Sequence, residues 1–171
     1  EVNIARCQNL TINGTLQYNT TTSTQLIDIY GDLTVNAGGL YNSFSGTTGK
    51  RTYVGGNVVN NGTLNFSVGA GNLVWKGGAP ATISGSGTLT NGFISNIWHA
   101  NAAGVTYNTP IEVRNVIGLY MGEVNPNGNL IAGNIAVTTQ TIERTSQSSF
   151  TQAPAFTSGI TRSVSYITAN I

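Results

Sequence analysis

At 171 residues the chain has the length of one domain. Only 8% of its residues are Asp, Glu, Lys or Arg and the net charge is +1; solubility therefore rests on Asn, Thr, Ser and Gln, and the seven scattered basic residues, of which only Lys50 and Arg51 adjoin, form no stripe for nucleic acid. A hydrophobic content of 39% excludes a disordered linker, the 22 glycines lack the period of collagen, and no apolar run approaches the ~20 residues of a membrane span.

In chain order, residues 1–92 repeat one phrase. Gly14-Thr15-Leu16, Gly38-Gly39-Leu40, Gly62-Thr63-Leu64 and Gly87-Thr88-Leu89 place leucines 24, 24 and 25 residues apart, and a second aliphatic row, Leu10, Leu33, Val58 and Ile83, precedes them. A fixed period of this size marks a stack of units, each of which buries its apolar face only against a neighbour. Within each unit apolar and polar residues alternate, as in Leu10-Thr11-Ile12, Leu33-Thr34-Val35 and Leu64-Asn65-Phe66, which is the period of a strand. Asn-Gly and Gly-Gly pairs between them offer positive φ angles for corners, so Gly14, Gly38, Gly62 and Gly87 are expected at turns.

The pattern predicts an all-β, right-handed parallel β-solenoid, a β-helix with coils of about 24 residues. Leu16 should stack under Leu40 and Leu40 under Leu64, and one corner should be lined by Asn13, Ala37, Asn61 and Ser86. The alternative is an antiparallel β-sandwich, which accounts for the alternation but not for the long phrase. Thr11 and Thr34 begin a row of the kind a flat ice-binding face would use, and Val59 breaks it.

Residues 93–137 read as drifted repeats. Val105 to Val113 and Val116 to Met121 still alternate in part, Asn127-Gly128-Asn129-Leu130 echoes the phrase 41 residues on, and the slip implies a longer loop near Trp98 to Gly104. Residues 138–171 are Thr/Ser-rich terminal strands with a loop through Pro154. The chain stops without a cap, so the protein is expected to continue.

The phrases "NLTINGTLQYN", "GDLTVNAGGLYN", "GGNVVNNGTLNFS", "ATISGSGTLTNG" and "VTYNTPIEVRNVIGLYMGEVNPNGNL" resemble the repeat region of large bacterial surface and secreted proteins exported by the type IX secretion system, as do "IERTSQSSF" and "GITRSVSYIT" after them. The resemblance implies an adhesin-like, extracellular or cell-surface protein used in adhesion, gliding or matrix. It carries no catalytic residues, and the C-terminal sorting domain normal to that class is not seen after Ser165.

Chemistry is sparse. Of six acids, Asp28 and Asp32 are the best pair for glycan cleavage, but along one strand they would sit about 13 Å apart, beyond the 5–9.5 Å such catalysis uses, unless Gly31 makes a corner. A solvated or turn-capping role is expected. Cys7 and His99 are single residues of their type, with no ligand set for zinc. "SGTTGKR", residues 45–51, lacks the first glycine and the Ser/Thr of a phosphate loop, and reads as an exposed loop ending in a solvated Lys50-Arg51 corner. The Asn-x-Ser/Thr triplets at Asn9, Asn13, Asn19, Asn61 and Asn65 read as ladder residues. Tyr53, Trp75, Trp98, Tyr107 and Tyr120 form an aromatic set able to stack on sugars, or else to cap the core.

The sequence thus points to a non-catalytic extracellular structural or adhesive module with no cofactor and no metal. Its expected partners are further repeats or copies of itself, with surface glycans possible, no nucleic acid and no membrane span. A carbohydrate-binding module or a polysaccharide-active β-helix enzyme is the alternative.

Overall fold

The computed structural model describes residues 2–18, 24–43, 50–67, 71–133, 139–145, 147–152, 154–156 and 161–166. All regular structure among them is strand. The first coils each supply three strands: β1 (Val2–Cys7), β2 (Leu10–Ile12) and β3 (Thr15–Gln17); then β4 (Thr24–Ile29), β5 (Leu33–Val35) and β6 (Leu40–Asn42); then β7 (Arg51–Val54), β8 (Val58–Asn60) and β9 (Thr63–Phe66). β10 (Asn72–Gly77), β11 (Ala81–Ser84), β12 (Thr88–Asn101), β13 (Val105–Tyr107) and β14 (Ile111–Asn125) follow. The chain goes on through β15 (Leu130–Ala132), β16 (Thr139–Arg144), β17 (Ser148–Phe150), β18 (Ala155–Phe156) and β19 (Thr161–Tyr166).

Every strand pairing is parallel, and the chain winds as a β-solenoid with coils of about 24 residues. Three tracks of strands run along it. The first holds β1, β4, β7, β10, the second half of β12, the middle of β14, β16 and β19. The second holds β2, β5, β8, β11, β13, the end of β14 and β17. The third holds β3, β6, β9, the starts of β12 and β14, β15 and β18. β12 and β14 are long because each turns corners while its ladder continues, β14 doing so at Gly122, whose φ is 77°.

Alternation decides what each track buries. On the second track Leu10, Leu33, Val58, Ile83 and Tyr107 lie in one vertical row. On the first, Ile29, Val54, Trp75, His99 and Leu119 do the same, beside Ile27, Thr52, Leu73, Ile97, Ile117 and Ile142. These side chains fill one continuous interior, so each coil is held chiefly by its two neighbours.

The third track differs from the phrase-based alignment. Leu16 pairs with Tyr41, Tyr41 with Leu64 and Leu64 with Leu89, whereas Leu40 lies between Thr15 and Thr63. The cause is the corner before β6. Asn36 bonds Asn13 (Nδ2 to Oδ1, 2.7 Å), and Gly39 stacks over Gly14, with the Leu40 amide donating to the Gly14 carbonyl at 2.8 Å. Ala37 and Gly38 are therefore two extra residues in a turn where Gly38 has φ 80°, and Ala37 is not the equivalent of Asn13. Ser86 does align with Asn61, donating its amide to the Asn61 Oδ1 at 3.3 Å.

Of the four expected turn glycines, only Gly38 needs a positive φ. Gly62 and Gly87 are required for a different reason: a Cβ at either would strike the carbonyl of the glycine one coil below. The longer loop expected near Trp98 to Gly104 is absent, because β12 runs to Asn101 and only a short turn leads to β13. The slip arises instead where residues 90–93 bulge from the ladder between Leu89 and Ile94 and the next coil shortens, so that Asn115 bonds Asn96 only 19 residues away. Leu130 of the echoed phrase lies on the third track beside Ile111.

Candidate functional site

The aromatic set splits into two groups because strand side chains alternate between interior and solvent. Trp75 and Tyr107 point inward and are fully buried (0% exposed), which removes both from any sugar-stacking surface. Trp75 stacks on His99 (5.6 Å between centroids, 5° between planes) and its indole N–H donates to the Gly56 carbonyl at 3.2 Å. His99 Nδ1 lies 3.1 Å from the Gly118 carbonyl and Nε2 2.8 Å from the Tyr107 hydroxyl. A carbonyl can only accept, so Nδ1 carries the proton and Nε2 accepts from Tyr107.

Burial pushes the His99 pKa down from 6.5 to about 4, outweighing the Gly118 hydrogen bond, which acts upward. The unfolded chain therefore binds more protons than the folded one between these values, and stability falls as pH drops from 6.5 to 4, by about 3 kcal/mol in all. Thermal melts across this window should show the loss, and a His99→Phe variant should melt with a flatter pH dependence. Equal slopes in the two proteins would contradict the neutral, buried imidazole.

Tyr53 and Trp98 point outward on the first track. One vertical row runs Asp28, Tyr53, Val74, Trp98, Gly118 and Glu143. Gly118 leaves room for the ring above: a Cβ there would run into the six-membered ring of Trp98. Between the His99–Leu119 and Ala100–Met121 pairs the ladder shifts by one residue, and the extra residue, Tyr120, turns its ring onto Trp98 (5.3 Å, 6°). Its hydroxyl approaches Glu143 Oε2 at 3.5 Å. Burial and the Glu143 carboxylate raise the Tyr120 pKa, with Arg51 acting in the opposite direction.

An open groove of about 230 Å³ results, lined by Arg51, Tyr53, Asn72, Val74, Trp98 and Tyr120. Arg51 is exposed, its Nη1 lies 3.4 Å from the Tyr53 hydroxyl, and it forms no ion pair among the described residues. Beyond Tyr53, the Lys76 ammonium sits 5.3 Å from the ring centroids of both Tyr53 and Tyr30 and is ion-paired with Asp28. Arg51, Asn72 and Val74 carry no motif in the sequence. They emerge as neighbours only when Tyr53, Val74 and Trp98 are aligned as one column, which needs the true register.

No family model, no curated protein and no solved structure matches the chain.

The acids serve the scaffold. Gly31 does make a corner and separates the two aspartates: Asp28 stays on the first track, ion-paired with Lys76 and 4.0 Å from Arg6, and Asp32 Oδ1 accepts the Asn57 amide at 2.6 Å. Asn9 and Asn57 do the same for Asp32 and Thr82, at 2.9 and 3.0 Å, so one corner carries a ladder of side-chain oxygens that satisfies the backbone of the coil above. A second ladder joins Gln17, Asn42 and Asn65, with bonds of 3.0 and 2.8 Å. Of the glycosylation-like triplets, Asn9, Asn13, Asn61 and Asn65 thus hold ladder or corner bonds; Asn19 lies outside the described residues.

Lys50 is buried rather than solvated. Its ammonium donates to Gln25 Oε1 at 2.6 Å, and burial lowers its pKa; residues 44–49 before it lie outside the described residues. Cys7 packs partly buried against the core, and burial raises its thiol pKa, with Asp28 adding to the effect. Among the described residues no three His, Cys, Asp or Glu side chains come together as a metal site, and no helix is long and apolar enough to cross a membrane.

Proposed function

We propose that the chain is a non-catalytic structural and adhesive module of a bacterial extracellular or cell-surface protein. The observation that carries this reading is the architecture: a ladder of parallel strands in which β1 pairs only with β4 and β19 only with β16 among the described residues. An outer strand edge of this kind is a template for further pairing, by the next stretch of the same polypeptide or by another copy. Pull along the axis is then shared over many parallel hydrogen bonds instead of falling on one nucleus.

Other features support it. Surface amides stand where charges would stand in a cytoplasmic domain, and the repeated phrases resemble those of proteins exported by the type IX system. Asp28 and Asp32, the acids best placed for glycan cleavage, are engaged by Lys76 and by the Asn57 amide, which favours scaffold over hydrolase.

Negative-stain electron microscopy at rising concentration is expected to show rods longer than one module, joined end to end. Single, non-associating particles of the full-length protein at every concentration would overturn the self-associating form of this proposal.

A further inference from the structure

The outward column on the first track is aromatic on both sides of a gap. Tyr53 lies one rung below Val74, and Trp98, backed by Tyr120, one rung above. Two rungs span about 9.6 Å at the usual strand spacing. Carbon atoms pack at about 3.5–4.0 Å, so contact with both rings takes up about 7–8 Å and leaves roughly 2 Å of thickness for whatever sits over Val74. A planar heteroaromatic ring is too thin to touch both walls. A puckered saturated ring with axial hydrogens on both faces fits, and those faces are what aromatic rings cover in sugars. The groove volume, about 230 Å³, falls below the range of pockets for drug-sized ligands, about 300–1,000 Å³, which suits a single ring of a longer chain that passes through the open ends.

Polar groups at the slot are one-sided. Asn72 and Arg51 occupy the adjacent outward column on the same two strands as Val74 and Tyr53. Arg51 is exposed and has no carboxylate partner among the described residues, so it presents a planar donor fork at the mouth, the group best matched to a carboxylate. Glu143 lies on the far side of Tyr120, hydrogen-bonded to its hydroxyl.

We propose that this slot binds one uronic-acid pyranose of an acidic polysaccharide, its ring faces against Tyr53 and Trp98, its hydroxyls toward Asn72 and its carboxylate on Arg51. The site stands apart from the structural reading above: it requires the Val74 gap and not any association of the module.

Isothermal titration calorimetry of the whole chain against galacturonate, mannuronate and hyaluronan oligosaccharides, with cellotetraose and galactotetraose as neutral controls, tests it. At least one acidic oligosaccharide should bind about tenfold or more tightly than the neutral ones. Arg51→Gln should bring the acidic ligand down to the neutral level, and Trp98→Ala should weaken all binding. Because Trp98→Ala also removes a stack, the deciding variant is Val74→Phe, which fills the gap with a third ring, should melt no lower than the wild type, and should abolish binding. Binding by Val74→Phe equal to wild type, an Arg51→Gln protein with unchanged preference, or no acidic oligosaccharide bound by the wild type would each overturn the proposal.

Discussion

Leu64→Asp is expected to destabilise the protein by roughly 5 kcal/mol or more, and Leu40→Asp by about 1 kcal/mol. Both leucines stand in the same repeated phrase. Leu64 is wholly buried, between Tyr41 and Leu89, whereas Leu40 is only partly covered in the outer column between Thr15 and Thr63. A carboxyl group at position 64 would leave a void and an unsolvated polar group in the interior, a loss comparable with the whole stability of a typical domain, about 5–15 kcal/mol. Chemical denaturation of the two variants under identical conditions separates them. Equal losses would contradict the register described above, and a stable Leu64→Asp protein would contradict the inward face of the third track.

Trp75→Ala should cost about 3–5 kcal/mol, the usual range for a fully buried aromatic residue. The indole fills the first-track interior, lies on His99 and satisfies the Gly56 carbonyl, so its removal opens a cavity and frees the imidazole from one face of its packing. Trp98→Ala, on the solvent side of the next strand, should cost no more than about 1–2 kcal/mol, since it loses a stack on Tyr120 worth about 0.5–1.5 kcal/mol and partial burial. Thermal melts of the two variants rank them. The reverse order would exchange the inner and outer assignments of the aromatic set.

Much of the architecture was legible in the chain because the repeat and the two-residue alternation are physical consequences of coiling. The column from Leu10 to Ile83 could be read from spacing alone, since no residue is inserted between strands on that side. Leu40 could not, because Asn-Ala-Gly-Gly holds two residues more than Asn-Gly, and sequence identity at the glycine hid a shift of one position in the ladder. The same limit governs the groove. Trp75 and Trp98 look alike as letters, and only the parity of each position on its strand sends one inward beside His99 and the other outward beside Tyr120. Arg51, Asn72 and Val74 carry no signature at all, being significant solely through what stands one rung away.

The turn at Ala37–Gly38 has a practical corollary. Two residues were accommodated there while the strands on either side kept their partners above and below, and nothing lies within 4 Å of a side chain built at Gly38. Length variation at such a vertex is decoupled from the framework, which makes this position a natural splice point: a foreign peptide inserted after Gly38 would be displayed on a rigid rod with its two ends already held close together.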